Sequence, residues 1–219
     1  NSYFETGLKS PLDNAILEHT HIDVGAWKKI DEVPFDFERR RVSVLIEGGG
    51  ERMLIAKGAP EDIVDLCVSY EGNFQFPVAL DESARQRLHA QYHALESEGF
   101  RVLGIAWRKV PLDHPHAVVS DESDLVFAGF AGFLDPPKQG AGAALAALAA
   151  SGVAVKIVTG DSERVTQHIC AQLNVRVEGV LTGRDIAQLD DGALAARLAD
   201  ANLFCRVNPA QKERVIRAF

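Results

Sequence analysis

Thr159-Gly160-Asp161 follows the apolar run Val153 to Val158 and precedes Ser162, so it stands where a strand gives way to a helix. In open parallel sheets ligands bind at that junction, and the outward-pointing N–H groups of the helix start favour an anion. There the Thr159 hydroxyl is able to donate to a phosphoryl oxygen, and Asp161 to cap the helix or orient a water. A tight turn with an N-cap explains the same tripeptide. Lys212, early in a helix after the last strand, would neutralise phosphoryl charge if it reached the same sheet edge; a solvated helix lysine is the plain alternative.

A second group of residues lies in the first half. Lys57-Gly58-Ala59-Pro60-Glu61 sets a cation at a strand end beside a glycine that leaves room for a flat or bulky ligand, and it is equally a strand-to-helix turn. Phe35-Asp36-Phe37-Glu38-Arg39-Arg40-Arg41 places aromatic rings beside guanidinium groups, a combination suited to stacking a base and pairing with phosphate. One of the two phenylalanines is expected to be core, with Phe37 turned to the face opposite Phe35. Arg101, opening a strand after Gly99-Phe100, is a further candidate cation for a polyphosphate.

The elements that must position these residues are readable in outline. Ser10-Pro11-Leu12-Asp13 opens a helix to about His19, with Ser10 as cap and Asp13 closing a capping box. Val42 to Glu47 and Arg52 to Ala56 form a hairpin across Gly48-Gly49-Gly50. Pro60 starts a helix toward Cys67, and Asp81 opens a long amphipathic helix that Gly99 ends. Val102 to Trp107 and Leu125 to Phe133 complete an antiparallel set. At Asp135-Pro136-Pro137 the pattern changes to helix, strand, helix, helix, strand, helix, which marks a domain boundary. Val153 to Val158 is expected as a buried parallel strand, and Leu203 to Cys205 as a second strand before a helix started by Asn208-Pro209.

Composition narrows the class. The 47% hydrophobic and 25% charged residues are those of a packed globular protein, and the net charge of −8 repels a nucleic-acid backbone. Three cysteines without a C-x-x-C pair suit a reducing compartment. The alanine-rich Gly140 to Val155 segment stops at Lys156 and is expected as helix, turn and strand, not as a membrane span; no direct membrane insertion is expected. No G-x-x-x-x-G-K-[ST], G-x-S-x-G or H-E-x-x-H sequence occurs. His89 and His93 share a helix face without a third ligand, so no metal site is expected; His19-Thr20-His21 and His114-Pro115-His116 are expected at the surface.

Taken in order, Lys57-Gly58-Ala59-Pro60-Glu61, Leu134-Asp135-Pro136-Pro137-Lys138, Thr159-Gly160-Asp161 and Phe204-Cys205-Arg206-Val207-Asn208-Pro209 through Lys212 resemble four successive blocks of the P-type ATPases. The stretches Thr6 through Leu17 and Pro34 through Val44 are more similar to the magnesium-translocating branch than to calcium, proton or sodium/potassium pumps. The resemblance implies a nucleotide-binding domain over residues 1–134, a twisted antiparallel sheet with helices, followed over 135–219 by part of a haloacid-dehalogenase-like α/β phosphorylation domain; overall the class is α/β.

By the same resemblance Phe35 stacks on adenine, Asp13 lies close to it, and Arg40, Lys57, Gly58 and Arg101 line the nucleotide, with Arg101 toward the phosphates. Arg206 faces the nucleotide when the domains close. Thr159 and Asp161 contact the phosphoryl group and its Mg2+, and Lys212 steadies the aspartyl phosphate. ATP and Mg2+ are the implied cofactors. The implied partners are the remaining phosphorylation, actuator and transmembrane domains of an integral plasma (inner) membrane protein whose cytosolic face this chain forms. Neither D-K-T-G-T nor G-D-G-x-N-D occurs in the 219 residues, so nucleotide binding without pump turnover is expected. Cys205 stands where an alanine is common. A soluble haloacid-dehalogenase-type phosphatase, a non-catalytic nucleotide-binding module, and a P-type ATPase for another cation are the competing readings.

Overall fold

The computed structural model describes residues 1–7, 10–19, 23–72 and 76–219. Leu8 and Lys9 of the amino-terminal resemblance, and Thr20 and His21 of the first histidine group, lie outside the described residues. The chain divides into two compact units, residues 1–92 with 102–133, and residues 93–101 with 134–219.

In the first unit α1 (Pro11–His19) is followed by β1 (Trp27–Asp36), β2 (Arg41–Gly48), β3 (Glu51–Gly58), α2 (Pro60–Asp65), β4 (Cys67–Tyr70), β5 (Val78–Ala79), α3 (Glu82–Ser97), β6 (Phe100–Val110) and β7 (Leu125–Leu134). Ser10 caps α1 as its sequence requires: the Asp13 N–H donates to Ser10 Oγ at 3.3 Å, and the Ser10 N–H donates back to Asp13 Oδ2 at 3.0 Å. Gly49 and Gly50 turn the β2–β3 hairpin at φ +60° and +78°, the left-handed pair that matches strand twist in a two-residue turn. The strands of the seven-stranded sheet run β1-β2-β3-β6-β7-β4-β5. It is mixed, not wholly antiparallel as expected, because β4 enters beside β7 in parallel. The α2 segment makes this possible by carrying the chain from β3 across to β4, and burying Ile63 and Val64 against Ala56, Ala106, Leu125 and Phe127.

The second unit holds α4 (Ala141–Ala150), β8 (Ile157–Val158), α5 (Glu163–Gln172), β9 (Val180–Thr182), α6 (Gly183–Gln188), α7 (Asp191–Leu198), β10 (Leu203–Cys205) and α8 (Pro209–Ala218). Its three strands are parallel in the order β8-β10-β9. Ser162, Thr182, Asp190 and Asn208 each cap the helix that follows. Leu181, Ile186, Leu194, Leu198, Phe204 and Val215 form the core.

The strand expected over Val153 to Val158 is shorter and less buried than its apolar run suggested. Among the described residues its only strand partner is β10, whose own first residue Leu203 pairs with Ile157, so residues before Ile157 have no neighbouring strand there to bond. Val153 is exposed, and α4 buries none of its residues. No helix among the described residues is long and apolar enough to cross a membrane.

Candidate functional site

Lys57, near the carboxyl end of β3, does not project into solvent as a free cation. Its ammonium donates to Asp13 Oδ1, to Glu5 Oε2 at 3.1 Å and to Ser2 Oγ at 3.0 Å, and the residue is 6% exposed. Asp13 and Glu5 are buried too. Burial by itself raises the Asp13 carboxyl, but the bonds from Lys57, Glu5, Ser2 and Ser10 outweigh it and hold Asp13 well below the usual carboxylate range. Glu5 goes the other way: burial, then the bond to Asp13, raise it against the opposing pull of Lys57. Two carboxyls and one ammonium thus tie the amino-terminal segment and α1 to β3.

Register gathers the other candidates at the same end of three adjacent strands. Asp36 of β1 pairs with Arg41 of β2, and Arg41 with Gly58 of β3, so Phe35, Arg40, Lys57 and Gly58 are neighbours by topology. Gly58 is needed for the close approach of backbone. A Cβ there would lie 2.5 Å from Arg41 Cβ and 2.6 Å from the Arg40 carbonyl oxygen. Arg40 adopts a left-handed φ of 50° and sends its guanidinium to Glu61 and Asp62, 2.8 Å each. Burial lowers the Arg40 pKa, and the two carboxylates more than reverse this.

Phe35 and Phe37 are both exposed, 54% and 60%, which corrects the expectation that one is core and that Phe37 turns away. Phe35 is near the end of β1 and Phe37 lies just past it, their ring centroids 5.2 Å apart. Asp36 then begins the turn, its carboxylate accepting the N–H groups of Glu38 and Arg39 at 2.9 and 2.8 Å. Beneath this turn lies a residue that sequence reasoning missed. Glu122, with a wholly buried side chain, accepts from Arg39 Nη1 on both oxygens at 2.8 Å, from Arg41 Nε at 2.7 Å and from Ser43 Oγ at 2.7 Å.

Arg101 belongs with the second unit. Its Nη1 meets Asp135 at 3.1 Å and its Nη2 meets Asp161 at 3.0 Å, while its buried Nε has no hydrogen-bond acceptor among the described residues. Thr159 Oγ1 donates to the same Asp161 oxygen at 3.0 Å. Ser162, not Asp161, caps α5. The Arg206 N–H donates to the Asp161 carbonyl at 2.9 Å and the Arg206 guanidinium reaches Glu96 at 3.3 Å, so Arg101, Thr159, Asp161 and Arg206 are brought together. Lys212 lies on the first turn and a half of α8, exposed, and its ammonium has no hydrogen-bond or ion-pair partner among the described residues, Thr159 and Asp161 included.

The histidines are engaged separately. His89 Nδ1 lies 3.2 Å from the Tyr92 hydroxyl, and His93 lies 3.4 Å from Glu96. The three cysteines are free and buried, and burial pushes the Cys67 thiol up to about 12 and Cys205 to about 11. At pH 8 a Cys67 thiolate is then about one in ten thousand of the population. Iodoacetamide at pH 8 is therefore expected to leave all three unmodified in the folded chain and to alkylate all three in urea, as read by intact mass. Rapid labelling of Cys67 in the folded chain would contradict the burial argument.

A family model described as P-type ATPase, cytoplasmic domain N, matches residues 4–140. That is more than half of the chain, and the chain belongs to this family. It is 41% identical over 222 residues to a magnesium-transporting ATPase, P-type 1, of Salmonella typhimurium, the alignment covering 99% of this chain and 24% of that protein. The protein of the same description in Escherichia coli K12 is 40% identical over 99% of this chain and 25% of its own length. Calcium-transporting ATPase 1 of Lactococcus lactis is 27% identical over 87% of this chain and 22% of its own length. The chain spans about a quarter of the length of these curated relatives.

Proposed function

We propose that these 219 residues are the cytosolic ATP-binding part of a magnesium-transporting P-type ATPase of the plasma (inner) membrane, which couples ATP hydrolysis through an aspartyl phosphate to cation transport. Residues 1–134 act as the nucleotide-binding domain. Residues 135–219 act as part of a haloacid-dehalogenase-like phosphorylation domain that works with the remaining phosphorylation, actuator and transmembrane domains. The 219 residues bind nucleotide without forming the phosphoenzyme themselves. The observation that carries this reading is the convergence of Phe35, Arg40, Lys57 and Gly58 at one end of β1, β2 and β3.

In this reading the base stacks on Phe35, with Asp13 and Lys57 fixing the floor beside it, and Arg40 and Gly58 shaping the rim. By the family resemblance Arg101, whose Nε has no acceptor among the described residues, and Arg206 are assigned to the triphosphate. Thr159, Asp161 and Lys212 support the phosphoryl site. The adjacent hydroxyl and carboxylate of Thr159 and Asp161 are hard oxygen donors that fit Mg2+, which when bound neutralises phosphate charge. Stacking contributes only about 1–3 kcal/mol per base, so ATP binding in the micromolar-to-millimolar range follows.

Calorimetric titration tests this. Phe35→Ala should weaken ATP and adenosine about tenfold and leave tripolyphosphate unchanged. Arg101→Ala should weaken ATP more than adenosine. Unaltered adenosine binding in a folded Phe35→Ala variant would remove the base from this end of the sheet.

A further inference from the structure

Phe37 has no part in the assignments above, yet it is the more exposed of two large rings on one turn. The rings stand 5.2 Å apart at 89° to each other. Single exposed hydrophobics are ordinary on protein surfaces, but these two are held by bonds at both ends of the turn. At one end Arg39 Nη2 donates to the Pro34 carbonyl at 2.7 Å. At the other the Arg40 N–H donates to the Asp36 carbonyl at 2.7 Å, and Arg39 is locked on Glu122. The Asp36 carboxylate fixes the two residues between. Such a turn presents its rings in one arrangement before a ligand arrives, which removes much of the ordering cost of binding.

We propose that Phe37 is a second nucleobase contact, forming with Phe35 a two-walled aromatic corner that prefers a purine. The inference rests on the reading that the base stacks on Phe35. Because the rings are perpendicular, a base lying parallel to Phe35 is necessarily perpendicular to Phe37. It makes one face-to-face contact and one edge-to-face contact, the two arrangements that aromatic quadrupoles favour. A corner of this kind grips a base in proportion to its planar area, so the bicyclic base gains more from the second wall than the monocyclic one.

The test titrates the 219-residue chain and its Phe35→Ala, Phe37→Ala and Phe37→Tyr variants with ATP, CTP and tripolyphosphate, with urea unfolding of each as a control. Phe37→Ala is expected to weaken ATP about threefold to tenfold, to narrow the ATP-to-CTP affinity ratio, and to leave tripolyphosphate unchanged. Phe37→Tyr is expected to retain the wild-type ratio. Wild-type ATP binding by Phe37→Ala alongside a loss in Phe35→Ala would overturn the corner and spare the Phe35 assignment. Wild-type binding by both alanine variants would overturn both. Equal loss of ATP and tripolyphosphate in Phe37→Ala would also overturn the corner, since a base contact has no hold on a phosphate chain.

Discussion

Lys57→Met is expected to lower the free energy of unfolding by about 3–5 kcal/mol at neutral pH, the usual cost of removing one partner from a buried ion pair. The ammonium it deletes satisfies Asp13, Glu5 and Ser2 together, all of them buried. Two carboxyls would remain in a low-dielectric pocket without the ammonium that both of them bind. The pH dependence identifies the cause. In the wild type the depressed Asp13 pKa contributes stability that is present above the unfolded value of 3.8 and lost as pH falls through the folded value. The raised Glu5 pKa acts oppositely, contributing below 4.5 and losing its contribution as pH rises through the folded value. Without Lys57 both carboxyls are expected to behave as Glu5 does, favouring the protonated form. The difference between variant and wild type should therefore be widest at pH 7.5 and shrink toward pH 4. Urea unfolding at the two pH values measures it, and a difference independent of pH would mean that the pair is not what the mutation broke.

Glu122→Ala should cost about 2–4 kcal/mol, somewhat less, because the Arg39 and Arg41 side chains retain 19% and 14% exposure and can recruit water. It should also weaken ATP several-fold while Glu122 itself lies buried beneath the turn, since the Pro34 to Arg40 turn loses its anchor. Glu122→Gln, which keeps one carbonyl acceptor, should fall between. Thermal unfolding and ATP titration on the same samples check both parts. Full ATP affinity in a destabilised Glu122→Ala chain would show that the turn holds its shape without this carboxylate.

What could be read from residues alone divides along physical lines. Local signals were sufficient where one residue type dictates backbone geometry. The Ser10–Asp13 box, the Gly49-Gly50 turn, the Pro60 helix start and the Asn208-Pro209 cap all emerge at their expected places. Strands without a clean period were missed. β1 carries Lys28, Lys29, Asp31 and Glu32 because it is an edge strand, and β9 has only three residues, so neither offers alternation to detect. The over-long reading of Val153 to Val158 took apolarity for pairing, and β10 supplies partners only from Ile157 onward.

The candidate site shows the same division. Arg, Lys and Phe types were legible as candidates, but their actual bonding was not. Lys57 is committed to Asp13 and Glu5, and Arg40 to Glu61 and Asp62. Glu122 left no local trace: it meets Arg39, Arg41 and Ser43 across 79 to 83 residues, and no window on the chain contains both sides of that contact. Phe37 was not legible in this way, because it lies just past the end of β1, where strand alternation no longer sets the side of the chain.

The irregularity of β1 has a further effect, on how the sheet meets other polypeptides. An open sheet edge is a template for an incoming strand, and self-association through it is a hazard for any protein that must also keep sticky rings uncovered. Here one flank, β1, is charged and twice out of register, between Lys29 and Asp31 and between Val33 and Asp36. The opposite flank, β5, is two residues long. A foreign strand finds broken hydrogen-bond spacing on one side and too little backbone on the other. If Phe35 and Phe37 hold a base as proposed, they can stay open to that flat ligand without the sheet edges inviting a second chain.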